Sequence, residues 1–296
     1  MSIPQADQQK TSMIFTECPR DAMQGWSRHI PTAEKAEYLN LLLKVGFDVL
    51  DFGSFVSPKA IPQLADTKEV LSMLDLSATR SKLLAIIANT RGAEEALQFN
   101  EISYLGFPLS VSETFQMRNT NKTIQQALEQ VQDIQNLCVR HGKELVVYIS
   151  MGFGNPYGDL YNAEIAIEQV GKLVKMGVGT IAMSDTVGVA TPDNIGHIFR
   201  HLLPEFSGAN IGAHFHSTAN AWREKIDAAY AAGCRRYDSA LRGIGGCPMA
   251  EDDLVGNIAT EHIVDWCTER GLPLQLDLKA FYEAWEMAGR VFAPRY

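Results

Sequence analysis

The chain has 296 residues, 46% hydrophobic and 21% charged, with a net charge of −9 at pH 7. That composition supports a large buried core and argues against intrinsic disorder. It contains no dense Lys/Arg run to meet a nucleic-acid backbone, and no apolar run of the roughly 18 residues that a membrane span needs.

The N-terminal stretch "MSIPQADQQKTS" is polar and lacks the apolar segment of a secretory signal, so a cytoplasmic chain is expected. Five widely spaced cysteines (Cys18, Cys138, Cys234, Cys247 and Cys267) form no C-x-x-C pair. They fit reduced thiols better than a disulfide framework.

Apolar, β-branched or aromatic runs alternate with helical patterns along the chain. "MIFTEC" (13–18) precedes a helix from near Thr32, "DVLDFG" (48–53) one near Asp66, and "KLLAII" (82–87) the segment "RGAEEALQF". "EISYLGF" (101–107) leads through a polar loop, "QMRNTNKT" (116–123), to a long helix over about 123–141. "ELVVYISM" (144–151) precedes a helix over 162–176, "TIAMSD" (180–185) one over 192–203, "NIGAHFH" (210–216) one over 219–232, and "RYDSAL" (236–241) one over 253–270. Punctuation agrees. Thr32 is placed to cap the first helix, Thr191–Pro192 opens another, and Gly46, Gly142, Gly177, Gly233 and Gly271 stand where a C′ glycine belongs.

Eight strand–helix units predict an α/β fold, a (β/α)8 TIM barrel, forming one catalytic domain over about 11–270 with a helical tail at 271–296. A doubly wound open sheet is the alternative, but "ECPRDAMQG" after the first run is not the Gly-rich turn such sheets carry. Phe281, Trp285 and Phe292 of the tail need burial against the barrel or a second subunit.

Barrel enzymes place their chemistry at the C-terminal ends of the strands. Those positions carry Glu17, Arg20 and Asp21, then Asp51 and Ser54, Asp185 and Thr186, His214 and His216, and finally Cys247 and Asn257. Residues two apart on a strand share a face, so His214 and His216 both point to the barrel interior or its mouth. With Asp21 and Asn257 at the same mouth, imidazole, carboxylate and amide groups suit a borderline-to-hard divalent cation. Each residue also has a structural reading. Arg20 and Asp21 could close a loop, Asp51 or Asn257 could cap a helix, Cys247 could be an inert packing residue, and Asp185 and Thr186 could merely order a loop.

"PRDAMQ" (19–24), "GSFVSPKAIPQ" (53–63), "SDTVGVATP" (184–192), "HFH" (214–216), "GIGGCP" (243–248) and "GNIATE" (256–261) occur in order across the barrel. Together they resemble the 3-hydroxy-3-methylglutaryl-CoA lyases, within a wider group of metal-dependent barrels that includes acyl-CoA synthases and aldolases. The resemblance implies that Asp21, His214, His216 and Asn257 hold Mg²⁺ or Mn²⁺. It implies that Arg20 meets the acyl-thioester oxygen, that Cys247 transfers a proton, and that Asp51 takes the place of the family's usual Glu. Gln24, Ser54, Asp185 and Thr186 are the implied substrate contacts. The implied reaction is cleavage of 3-hydroxy-3-methylglutaryl-CoA, or a close 3-hydroxyacyl-CoA, to acetyl-CoA and acetoacetate or another 3-oxo acid by a cytoplasmic homodimer. The base that takes the hydroxyl proton stays open between Asp51, Asp21 and a histidine. The alternatives are a Claisen synthase or aldolase of the same group, and a catalytically inactive binding barrel. The chain departs from the family pattern at Asp51, in the acidic loop "PMAEDDLVG", in "STANAWREK" after the histidines, and in "GWSRHI", which has no Lys where the lyases commonly have a basic residue.

Overall fold

The computed structural model describes residues 12–246 and 255–293. Eight parallel strands close in sequence order: β1 (Ile14–Glu17), β2 (Val49–Ser54), β3 (Lys82–Ile86), β4 (Ile102–Ser110), β5 (Glu144–Ser150), β6 (Thr180–Asp185), β7 (Asn210–Phe215) and β8 (Arg236–Ser239), with β8 pairing back to β1. Helices pack around them, so the fold is a (β/α)8 barrel. The strands read as apolar runs because both of their faces are covered. Every residue of β2 and β6 is buried, and so is β5 after its first residue.

The helices are α1 (Pro19–Gln24), α2 (Thr32–Val45), α3 (Thr67–Ser72), α4 (Thr90–Ala96), α5 (Glu113–Thr120), α6 (Ile124–Arg140), α7 (Ala163–Lys175), α8 (Pro192–Glu205), α9 (Trp222–Ala231), α10 (Thr260–Glu269) and α11 (Leu278–Val291). Most open on a side-chain cap. Asn89, Ser112, Asn162 and Asp277 each accept a backbone N–H from the first turn, and Thr123 and Thr191 form capping boxes. The five predicted C′ glycines all have positive φ.

One element has no counterpart in the sequence pattern: "PRDAMQ" is a short helix, α1. Three sequence expectations need correction. Most of the expected polar loop 116–123 is helix α5, nucleated by the Ser112 cap and stopped at Asn121, which adopts the left-handed conformation. Thr32 is not a cap: its hydroxyl donates to Asp66, and Pro31 occupies the cap position. The last barrel helix begins at Thr260, because 255–259 run beside the barrel and Ala240 bridges Ala259.

The tail helix α11 covers the barrel's own α2. Phe281 meets Phe47, and Phe292 meets Trp26 and Tyr38 edge-on, at centroid distances of 6.5, 5.4 and 6.0 Å. Burying each phenylalanine contributes roughly 1.5–3 kcal/mol. Arg242 pins the same helix, with its guanidinium 3.7 Å from the Trp285 ring centroid and Nε donating to the Trp285 carbonyl.

Inside the barrel, Val49, Leu84, Ile86, Val146, Tyr148 and Ala182 form an apolar layer. Gly106 is required beside it, since a Cβ there would lie 2.4 Å from Ile86 Cδ1. Above this layer the interior turns polar.

Candidate active site

Parallel pairing sets Ser184 of β6 beside His214 of β7, and His214 beside Asp238 of β8. The three therefore form one inward row near the C-terminal ends of their strands. Two residues further along, His216 follows on the same face and bridges Asn257. Helix α1 opens on Pro19, whose fixed φ suits a first helical position, and brings Arg20 and Asp21 to the same mouth.

These side chains converge. The Nε2 atoms of His214 and His216 are 3.3 Å apart, and ligand atoms of Asp21, His214 and His216 all lie within 4.8 Å of one another. The Asn257 amide nitrogen donates to Asp21 Oδ2 at 2.7 Å and to the Ile244 carbonyl at 3.0 Å, while its amide oxygen is buried with no partner among the described residues. Asn257 is thus no helix cap, since α10 starts three residues later.

Electrostatics suit a cation. Burial disfavours the charged form of Asp21, but Arg20, both histidines and the Asn257 amide outweigh it and hold the carboxyl at about 2. Burial, aided by His214, lowers His216 to about 4, so its ring is neutral at pH 7 and keeps a lone pair. An ionised carboxylate, neutral imidazole and an unpartnered amide oxygen make a donor set fit for a divalent cation. Behind it, His214 Nδ1 lies 3.3 Å from Asp238 Oδ2. That contact turns Nε2 toward the site, the usual arrangement for a ligating histidine. Burial opposes ionisation of Asp238, yet Arg236 and His214 keep its carboxyl below the ordinary value. Asp238 gives no motif in the sequence; only β7–β8 register finds it.

Arg20 is held rigidly. Nε donates to Asp51 Oδ2 at 3.0 Å and Nη2 to the same oxygen at 2.7 Å, while Nη1 donates to Asp21 Oδ1 at 3.1 Å and Gln24 Oε1 at 2.8 Å. Contacts to the described residues use four of its five N–H groups, leaving one on Nη2. Asp51 is fully buried, with both oxygens facing Arg20. Burial raises its carboxyl to about 6 even against the guanidinium.

Arg20, Asp21, Gln24, Thr186, His214 and His216 line one cavity of about 400 Å³, within the range of small-molecule sites. Asp51, Ser54, Asp185 and Asn257 do not. Asp51 stands behind Arg20, and Ser54 borders a separate cleft beside Thr67. Asp185 pairs with buried Lys225 at 2.6 Å and accepts the Ala190 N–H. Cys247 lies outside the described residues. The sequence reading missed Lys225, whose Nζ also donates to the carbonyls of Gly188 and His216. It missed Ser150, Ser184 and Tyr148 in the cavity wall as well. The Tyr148 hydroxyl is buried without a hydrogen-bond partner among the described residues, and its ring meets His214 edge-on at 5.5 Å. Ser150 and Tyr148 carry no signal because β5 reads as one apolar run, and Ser184 is visible only as the first residue of "SDTVGVATP".

The HMGL-like family model matches residues 12–288. The chain is 30% identical over 280 residues to an (R)-citramalyl-CoA lyase of Chloroflexus aurantiacus, covering 92% of this chain and 88% of that one. It is likewise 30% identical over 272 residues to a hydroxymethylglutaryl-CoA lyase of Bacillus subtilis, covering 90% and 88%. Its fold superimposes with a TM-score of 0.90 and 31% identity on an HMG-CoA lyase from Acinetobacter baumannii in complex with coenzyme A and 3-methylmalate, covering 99% and 93%.

Proposed function

Because this chain belongs to the HMGL-like family and is a carbon–carbon lyase, we propose that it splits 3-hydroxy-3-methylglutaryl-CoA into acetyl-CoA and acetoacetate, or a close 3-hydroxyacyl-CoA into acetyl-CoA and the corresponding oxo acid. The observation that carries this reading is the convergence of Asp21, His214 and His216 beside the clamped guanidinium of Arg20 at one cavity, with Asn257 bonded to Asp21. Asp21, His214, His216 and Asn257 would hold a divalent cation, Mg²⁺ or Mn²⁺, whose Lewis acidity lowers the pKa of the substrate hydroxyl.

The rest of the chemistry belongs to the chain. The C3 hydroxyl gives its proton to Asp21 or one of the histidines, its freed electron pair forms the new C3 carbonyl, the C2–C3 bond breaks, and that bond's pair moves through C2 to the thioester oxygen. Acetoacetate departs and the enolate of acetyl-CoA remains. The spare Nη2 proton of Arg20 meets that oxygen as charge grows on it, and no reorganisation is needed because Asp51 and Gln24 already fix the guanidinium. Asp51 is assigned as a positioning residue: its oxygens are spent on Arg20 and it has no exposed surface. Thr186, Ser150, Ser184 and the Tyr148 hydroxyl supply neutral hydrogen bonds to the acyl part. Protonation at C2 falls to Cys247 by family resemblance.

A second reading has a specific support, the equal identity to the citramalyl-CoA lyase. Both are tested by one experiment. Purified chain with Mg²⁺ is given 3-hydroxy-3-methylglutaryl-CoA or citramalyl-CoA, and acetyl-CoA and the released oxo acid are quantified. Equimolar acetyl-CoA and acetoacetate supports the first reading. Cleavage of citramalyl-CoA alone moves the assignment to the second. Cleavage of neither, with the fold intact, removes both and directs attention to condensation or to an inactive barrel. The proposal extends to a homodimer in the cytoplasm, to be read by sedimentation and by localisation of the tagged chain. No helix among the described residues is long and apolar enough to cross a membrane.

A further inference from the structure

The opposite, N-terminal mouth of the barrel holds a second cavity, of about 320 Å³. Its walls come from the first residues of the strands, among them Lys82, Thr180, Asn210 and Arg236. Arg236 opens β8, and strand alternation points it to the same inward face as Asp238. It is 2% exposed. Nη2 donates to Thr16 Oγ1 at 3.3 Å and pairs with Asp238 Oδ1 at 3.2 Å. Nη1 is buried and meets no acceptor among the described residues.

An unsatisfied N–H on a buried guanidinium is costly, and more so for a charged donor than a neutral one. The fold nevertheless makes room for this side chain. At Gly212 of β7 a Cβ would lie 2.7 Å from Arg236 Cγ and 2.8 Å from its carbonyl oxygen. Glycine weakens a strand interior unless another group must approach closely.

The charge around the cavity is not balanced by its own wall. Asp48 is the one carboxylate in the lining, and it is already engaged by Arg80 at 3.5 Å and by the Phe15 N–H at 2.9 Å. Lys82, two residues before Leu84 of the inner apolar layer, shares the inward face. It is exposed at the rim, and the Asp48 carboxylate beside it is paired with Arg80 instead. Glu144 and Asp48 both act on the Tyr104 phenol at this end, so some acidic field reaches the rim. A water accepting from Nη1 would leave Lys82 without a counter-ion and Arg236 with Asp238 alone, whose other oxygen faces His214.

We propose that this N-terminal mouth is a binding site for a small oxyanion, a phosphate or a compact carboxylate, with Arg236 Nη1 as its buried donor and Lys82 as its rim cation. Thr180 and Asn210 add neutral hydrogen bonds. The site is separate from the lyase cavity and does not depend on the reaction assigned there.

The test is calorimetric titration of the full-length chain, stripped of metal on a chelating resin, with inorganic phosphate and separately with malonate. Chloride keeps the ionic strength constant. Saturable 1:1 binding of either anion is expected. Lys82→Gln, an exposed change that leaves the fold intact, should weaken it about tenfold or more, the worth of one charge-assisted contact. Arg236→Met should remove it, and Arg20→Met in the other cavity should leave it unchanged. If Arg236→Met does not fold, Lys82→Gln carries the test. Absence of saturable binding for both anions overturns the proposal. So does binding that survives Lys82→Gln but is lost in Arg20→Met, which would put the anion in the lyase cavity.

Discussion

Asp238→Asn separates two jobs that one carboxylate performs. Its Oδ2 lies 3.3 Å from His214 Nδ1, and its Oδ1 lies 3.2 Å from the buried guanidinium of Arg236. The substitution keeps shape and removes charge. Losing a carboxylate behind a ligating histidine typically weakens metal binding about 10- to 100-fold. Removing the counter-ion of a buried cation costs about 3–5 kcal/mol of stability. The lower end is expected here, because Arg236 keeps its bond to Thr16. Mg²⁺ or Mn²⁺ affinity is measured by calorimetry and stability by urea denaturation. Adding Arg236→Met removes the stranded charge, so stability should return to within about 1–2 kcal/mol of the parent while metal affinity stays low. Unchanged metal affinity in Asp238→Asn would refute the role given to the His214–Asp238 contact. Full recovery of affinity in the double variant would show that Asp238 acts through packing alone.

Arg20→Met should lower kcat about 10²- to 10³-fold, the usual cost of an oxyanion donor; steady-state kinetics with metal analysis should show metal content close to the parent's. Lys225→Met strands buried Asp185 and should cost about 3–5 kcal/mol by urea denaturation; adding Asp185→Asn should recover much of it, and a loss below about 1 kcal/mol would count against the clamp. Burial raises the Glu17 carboxyl from 4.5 to about 8, against hydrogen bonds from Thr260 and Leu241. The folded state therefore favours the protonated acid: this contribution is fully present below pH 4.5 and is lost as pH rises through about 8. Glu17→Gln should flatten that decline, on the order of a few kcal/mol, when urea midpoints are compared at pH 6 and pH 9.

Chain order and periodicity determined most of the fold. Parallel strands buried on both faces must be apolar runs, and each needs a covering helix, so eight runs separated by helical patterns admit few architectures besides a closed barrel. The i, i+2 spacing of His214 and His216 fixed their common face, and the place of Arg20 and Asp21 after the first strand put them at the same mouth, although nothing in the pattern marked α1 as a helix. What depended on neighbours distant in the chain was not legible. Asp51 reads as a strand-end acid, but only its contacts with Arg20 make it a positioning group. Ser54 and Asp185 sit at strand ends yet face away from the cavity wall, spent on Val56 and Thr67 and on Lys225 respectively. Asp238, Lys225 and Arg236 are isolated charges in sequence, indistinguishable from surface residues. Barrel closure buries them, and in a low-dielectric interior each must find a partner. The pairs they form span 24 to 40 residues or, for Arg236 with Asp238, cross a single intervening residue on one face. Strand register decides the His214–Asp238 contact, and the packing of α9 on the barrel decides Lys225–Asp185; both are properties of the closed sheet and its helices.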